Sequence, residues 1–234
     1  SFNDNTFYDV SSWNLAMAFD VEFVEIKSSR SVKISDKAWQ FRPTRTDVPE
    51  TPAYSYAIDW SNYDAPALVY RLLKQGVVLR TAMQAFTANT PDGQKQFSAG
   101  TMLVNAGLQS IDWFKAFKQT VESTSVAVTP IMTGMSPVGS DLGSRSMVPV
   151  NLPKVLILGG RGSNLYEVGE AWYLLDRQLG FSPTIVDKYR IGSVDLADYT
   201  HILLTDGNFT SLDDSFAKSL KTWVKNGGIL WGQK

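Results

Sequence analysis

The sequence contains no cysteine and a single histidine, His201. The first absence excludes disulfides, thiolate nucleophiles and cysteine-ligated zinc, and it fits any redox compartment. The second leaves a zinc site of the usual histidine and carboxylate type short of ligands. Charge is also scarce, at 19% of 234 residues, with a formal net charge of −1. That balance gives no electrostatic reason to expect nucleic acid or an anionic membrane as a partner. No apolar run approaches the ~20 residues needed to cross a bilayer, so no membrane span is expected. The chain opens without Met or a signal peptide and stops at Gly232-Gln233-Lys234, straight after an apolar strand. The expectation is an excised fragment, truncated at its C-terminus. Hydrophobic residues make up 44% of the chain, which is ample for a core in one large or two small domains.

The pattern is organised around Leu152–Asp187, which reads as strand, turn, helix and strand. Val155, Leu156, Ile157 and Leu158 form a short apolar run, as in a parallel strand covered on both faces. Gly159, Gly160 and Gly162 break it. Asn164 is placed to cap a helix, and Glu167 three residues on completes a capping box. Leu165, Val168, Trp172, Leu175 and Leu179 repeat at helical spacing, and Gly180 sits at the C-cap position. Thr184–Val186 is the second strand of a βαβ unit.

Before this unit, three regions can be read. Residues 1–52 form an N-terminal extended arm and linker. In it Trp13, Leu15, Met17, Phe19, Val21 and Phe23 alternate as in an extended segment, with a short helical turn at Asn14–Phe19 as the alternative; Val32 and Ile34 suggest one short strand, and Pro43, Pro49 and Pro52 mark the linker. Residues 53–150 read as an α/β subdomain opening on a second βαβ-like unit. It has a strand at Tyr54–Trp60, a helix buried through Ala65, Leu68, Leu72 and Leu73, and a strand at Val77–Ala82. Thr90-Pro91-Asp92-Gly93 is a turn, Gly100–Asn105 a strand, Ile111 to Val121 a helix and Ser125–Pro130 another strand. Gly134–Pro149 reads as a long loop in which Arg145 is the lone cation. Residues 151–234 form the last subdomain, with further strands at His201–Thr205 and Ile229–Trp231 and a helix buried through Phe216, Leu220, Trp223 and Val224. Strand–helix alternation throughout predicts an α/β fold with a mostly parallel, doubly wound sheet.

Candidate chemistry collects at strand ends. Gly160, Gly162, Ser163 and Asn164 lie between a strand and a helix N-terminus, where backbone N–H groups can hold an anion. The third glycine of a dinucleotide fingerprint is replaced by Leu165, although Asp187 stands about 20 residues on. Asp59, Asp187 and Asp206 follow predicted strands, where ligands of open α/β sheets bind, and three such carboxylates can hold Mg²⁺ with waters. Asp is equally a common turn and cap residue. His201 begins its strand, on the opposite edge, and no G-x-S-x-G elbow exists for it to serve. No residue is assigned a catalytic or metal-binding role.

Three motifs carry a family resemblance. They are Phe7-Tyr8-Asp9-Val10-x-x-Trp13-x-Leu15, Phe97-x-Ala99-Gly100-Thr101, and Pro153-Lys154-Val155-Leu156 followed by Tyr166-Glu167-x-Gly169-Glu170-x-Trp172-x-Leu174-Leu175-Asp176. Together they resemble the region after the catalytic domain in bacterial zinc-carboxypeptidase-like proteins. From Leu152 onward the chain resembles a class I glutamine-amidotransferase-like, flavodoxin-like sheet, and Asn226-Gly227-Gly228-Ile229-Leu230 fits that fold's helix-to-strand step. The resemblance implies a non-catalytic accessory region of a periplasmic or extracellular metallocarboxypeptidase. Its partner is its own upstream catalytic domain, and a peptide or polymer ligand fits the same context. It implies no cofactor in this fragment, with zinc in the missing upstream domain. Peptidases of that family bind zinc with His-x-x-Glu and a later His, which His201 alone cannot supply. The amidotransferase nucleophile is a Cys after the strand matched by Ile229–Trp231, and the chain has Gly232-Gln233-Lys234 there. Two alternatives stay open: a Mg²⁺-dependent enzyme using the strand-end carboxylates, and a small-ligand sensor built on the Gly160–Asn164 turn.

Overall fold

The computed structural model describes residues 16, 21–28, 30, 32–33, 36–38, 46, 48–110, 112–210, 212 and 214–232. By its contacts the chain divides into Ser1–Arg42 and Pro43–Lys234. In the first unit, residues 21–26 belong to no helix or strand, and neither does Val32. Phe7–Val10, most of the alternating run from Trp13, and Ile34 lie outside the described residues.

The second unit begins with β1 (Ser55–Ile58), α1 (Ala65–Lys74), β2 (Leu79–Ala82), β3 (Phe86–Thr90), β4 (Gly93–Phe97), β5 (Met102–Asn105), α2 (Trp113–Glu122), β6 (Val128–Ile131) and β7 (Met147–Val150). Five of these strands form one sheet in the order β6-β1-β5-β2-β7. Every neighbouring pair is antiparallel. The expected βαβ unit is therefore split. β1 and β2 run in the same direction, but β5 lies between them; β5 and β6 likewise flank β1. Each helical crossover skips one strand position, giving the βαββαβ (ferredoxin-like) pattern with β7 added at an edge. The prediction of a mostly parallel sheet fails here for a physical reason. A strand–helix–strand pattern fixes the direction of the second strand but not whether a third strand enters the gap.

Both helices lie on one face of this sheet. Leu68 and Leu72 of α1 and Trp113, Phe117 and Val121 of α2 pack on Tyr56, Ile58, Leu79 and Val104. The spacing of three to four residues keeps each set on one side of its helix. The Tyr56 and Phe117 ring centroids are 4.6 Å apart. The other face, with Ala57, Leu103, Ile131 and Met147, is covered by Phe86, Ala88 and Phe97 of the β3–β4 hairpin and by Leu142. Pro91-Asp92 turns that hairpin, with Thr90 opposite Gly93. The stretch Gly134–Pro149 is not the free loop the sequence suggests. Thr87 N–H donates to the Val138 carbonyl (2.8 Å), Leu142 is wholly buried, and residues from Met147 pair as β7. Pro149 is tolerated because β7 is an edge strand, as is Pro130 in β6.

The remainder contains β8 (Val155–Gly159), α3 (Leu165–Trp172), a π-helical turn (Tyr173–Gln178), β9 (Thr184–Asp187), two 3-10 turns (Lys188–Ser193 and Leu196–Asp198), β10 (His201–Leu204), α4 (Asp214–Lys225) and β11 (Ile229–Gly232). The four strands are all parallel, in the order β11-β10-β8-β9. One face carries Leu156, Leu158 and Ile202 against Phe216 and Trp223 of α4 and against Ile191 and Leu196 of the 3-10 turns. The opposite face carries Ile157 and Leu203 against Val168, Ala171 and Leu175 of α3 and its π turn. The chain is thus a mixed α/β structure with one antiparallel and one parallel sheet. The expected helical stripe is rotated: Val168 and Leu175 face the sheet, while Leu165 (65%) and Trp172 (39%) are exposed. The sheet-facing Val168, Ala171 and Leu175 keep the i, i+3, i+7 spacing of one helical face, and the turn that follows is π-helical, with Leu179 N–H donating to the Leu174 carbonyl (2.9 Å).

Candidate functional site

The carboxyl ends of β8, β9 and β10 meet at one edge of the parallel sheet. All six residues marked from the sequence gather there. The turn after β8 has Gly160 at φ +84° and Gly162 at φ +82°, a region that side-chain-bearing residues rarely enter. Both positions also face the end of a neighbouring side chain. A Cβ on Gly160 would strike the Asp187 carboxylate, and one on Gly162 would strike Lys188 Nζ. Ser163 forms an isolated antiparallel bridge with Gly207. Asn164 caps α3, its Oδ1 accepting from Tyr166 N–H (3.1 Å).

The polar groups at this edge are turned toward one another. Asn164 N–H donates to the Asp206 carbonyl (2.7 Å), and Asn208 N–H donates to the Gly162 carbonyl (2.7 Å). Ser163 N–H returns to the Gly160 carbonyl (3.2 Å). The capping box takes a different form from the expected one. Glu167 Oε1 accepts from the Asn164 side-chain amide (3.2 Å), and Glu167 Oε2 accepts from Asp206 N–H (2.7 Å). Lys188, only 6% exposed, donates its ammonium to the Asn208 carbonyl (2.6 Å). Asp187 Oδ1 accepts from Tyr189 N–H (2.9 Å), which starts the next 3-10 turn. The β8–α3 and β10–α4 loops therefore bond to each other across the crevice. Two buried hydroxyl oxygens at this edge, Ser163 Oγ and Thr205 Oγ1, have no hydrogen-bond partner. Glu167 was read from the sequence only as a capping-box residue, and Lys188, Thr205 and Asn208 were not marked as site residues. Lys188 directly after a strand-ending Asp was the available signal, but exposure is the ordinary state of lysine.

The third carboxylate of the Mg²⁺ reading does not join this group. Asp59 follows β1 in the antiparallel sheet and accepts from Ser61 N–H (2.9 Å) and Ser61 Oγ (2.8 Å). The backbone N–H bond, then the hydroxyl, hold its carboxyl below the usual range. Among the described residues no three His, Asp or Glu side chains gather as a metal site. Arg145 is exposed.

A second feature lies on the α3 face of the parallel sheet. A groove of about 580 Å³ runs from α3 and its π turn over β8, β10 and β11. Its floor includes Val155, Leu203, Ile229 and Trp231, and Tyr173, Leu174 and Phe181 form a wall. His201 also lines it, opposite Ile229 in register and 2.7 Å from Thr200 Oγ1 through Nδ1. Burial holds the His201 imidazole below its ordinary pKa. Ile229 is 53% and Trp231 59% exposed. Among the described residues, the charged ones lining the groove are Glu167 and Glu170. Neither its helical wall nor its strand floor was marked as a site from sequence, because each side chain reads as ordinary core.

No protein-family model, no curated protein and no solved structure matches the chain.

Proposed function

We propose that this chain is a non-catalytic accessory region of a larger zinc-carboxypeptidase-like protein, acting in the periplasm or outside the cell. Under this reading the zinc and the peptidase chemistry belong to an upstream domain. The parallel half then corresponds to a flavodoxin-like, class I amidotransferase-like sheet. The order β9-β8-β10-β11, with α3 and α4 on opposite faces, supports that correspondence.

The observation that carries the non-catalytic reading is the crevice at the strand ends. In an open α/β sheet this is where a ligand binds, using free N–H groups at the switch point. Here Asn164 N–H, Asn208 N–H and the Lys188 ammonium are already bonded to carbonyls of the facing loop. A nucleotide or sugar phosphate would have to break those bonds before making its own.

Two measurements test this. Titration calorimetry with Mg²⁺, a nucleotide and a sugar phosphate should give no heat. A thermal shift with any of them, abolished by Gly162→Val, would replace the accessory reading with the sensor or Mg²⁺-enzyme alternative. Peptide sequencing outward from this region in the native protein should find His-x-x-Glu and a further His upstream. A native chain lacking them would remove the carboxypeptidase context.

A further inference from the structure

We infer that Asn208, on the loop between β10 and α4, is an acceptor site for an N-linked glycan. The inference rests on the exported location in the accessory-region reading, since this modification belongs to secreted chains. Asn208-Phe209-Thr210 is the single Asn-x-Ser/Thr triplet of the sequence, and its middle residue is not proline. Such triplets also arise by chance, so the local structure decides. Asn208 and Thr210 are both exposed. Phe209 between them is partly buried against the core on the α4 face, which anchors the loop and leaves its two neighbours outside.

The bonds around Asn208 separate its backbone from its side chain. Its N–H donates to the Gly162 carbonyl (2.7 Å), and its carbonyl accepts from the Lys188 ammonium (2.6 Å). Both hold the main chain against the facing loop. The side chain stays within its own loop, where Oδ1 accepts from Thr210 N–H (3.0 Å) and from Thr210 Oγ1 (2.6 Å). Nδ2, the atom that carries the sugar, makes no hydrogen bond among the described residues. This Asx turn fixes the amide with its nitrogen unengaged, so attachment breaks no bond of the fold. Thr210 supplies the hydroxyl of the triplet, already in contact with the amide. In the transfer, Nδ2 attacks C1 of the first sugar of a polyprenyl-diphosphate-linked oligosaccharide. The N–C1 bond forms as the C1–O bond to the diphosphate breaks. The lipid diphosphate leaves with the electron pair, and the amide proton passes to a base of the transferase. The glycan then stands at the rim of the strand-end crevice, beside loops that are already bonded to each other.

The test reads mass. In the native protein, tryptic peptide 191–218 should carry sugar increments that fragmentation places on Asn208. The folded 234-residue chain, incubated with a single-subunit oligosaccharyltransferase and a polyprenyl-diphosphate-linked oligosaccharide, should gain the mass of one glycan. Asn208→Gln and Thr210→Val should each abolish the gain, and Thr210→Ser should keep it, with all three variants folded by circular dichroism. Synthetic peptide 191–218 is the control for the sequence without the fold. A native peptide without sugar overturns the inference. So does a folded chain left bare, whether or not the transferase modifies the free peptide, and so does a gain in mass that survives Asn208→Gln. The upstream His-x-x-Glu search is separate: a glycan on Asn208 with no such motif upstream would keep this site and remove the carboxypeptidase context.

Discussion

At Gly160 and Gly162 two constraints coincide: a left-handed backbone and a neighbouring charged group where a Cβ would go. Gly162→Ala should therefore cost about 1–2 kcal/mol from the backbone alone, with the displacement of Lys188 added. Urea denaturation reads this directly, and an unchanged midpoint would show that the turn relaxes freely. Thr205 presents the opposite case. Its hydroxyl is buried and unpartnered, so it was desolvated on folding without gaining a bond. Thr205→Val should raise the melting temperature; a fall would mean that the hydroxyl has a partner in solution. His201 sets a pH dependence. Its pKa is lower in the folded chain than in the unfolded one, so the unfolded state takes up the proton first. Its stabilising contribution is intact above about 6.5, the unfolded value, and is lost as pH falls through the lower folded value. Thermal melts should decline across that window, and His201→Gln should flatten part of the slope. The six marked residues were legible here because Gly, Asn and Asp after an apolar run have few roles other than turning a chain. Glu167 was legible as the capping-box partner of Asn164 but its bond to the facing loop was not, and Lys188 was not legible, because nothing in its spacing separates a charge folded inward from one left in solvent.

Elements were legible where their patterns were local. The cap at Asn164 was foreseen, and Asn164→Ala should cost about 1 kcal/mol while Asn164→Gly costs a few tenths. α2 was foreseen from its aromatic spacing. Its Phe117 is fully buried against Tyr56 and Trp113, and Phe117→Ala should cost about 3–5 kcal/mol. A much smaller loss by chemical denaturation would mean that the helix layer closes over the gap. The β3–β4 hairpin was missed for a physical reason. Only one side of it touches the core, through Phe86, Ala88 and Phe97, and its other positions are Thr, Asn, Gln and Lys. Such a strand has too few apolar residues to register as periodic. The rotated face of α3 was not legible because Leu165 and Trp172 are also apolar at helical spacing from Val168, and hydrophobicity alone does not say which of several apolar residues meets the sheet.

Across the whole second unit, the two sheets have separate cores that share no residue. Between them the Tyr70 and Phe181 rings approach to 4.6 Å, and Tyr63 donates its hydroxyl to Gln178 (2.9 Å). Calorimetry should accordingly show two overlapping transitions, with a van't Hoff enthalpy below the calorimetric one. Tyr70→Ala should separate them further; a single sharp transition in both proteins would show that the cores melt together. The strand order also bears on how the chain is made. β1 pairs with β5 and β6 alone, and Ser55 meets Asn105 fifty positions later. At translation rates of about 5–20 residues per second, β1 leaves the ribosome roughly 3–10 s before its nearest partner. For that interval Tyr56 and Ile58 have no strand to pair with, so the first half of this protein is most exposed to chaperones and proteases while it is still being synthesised.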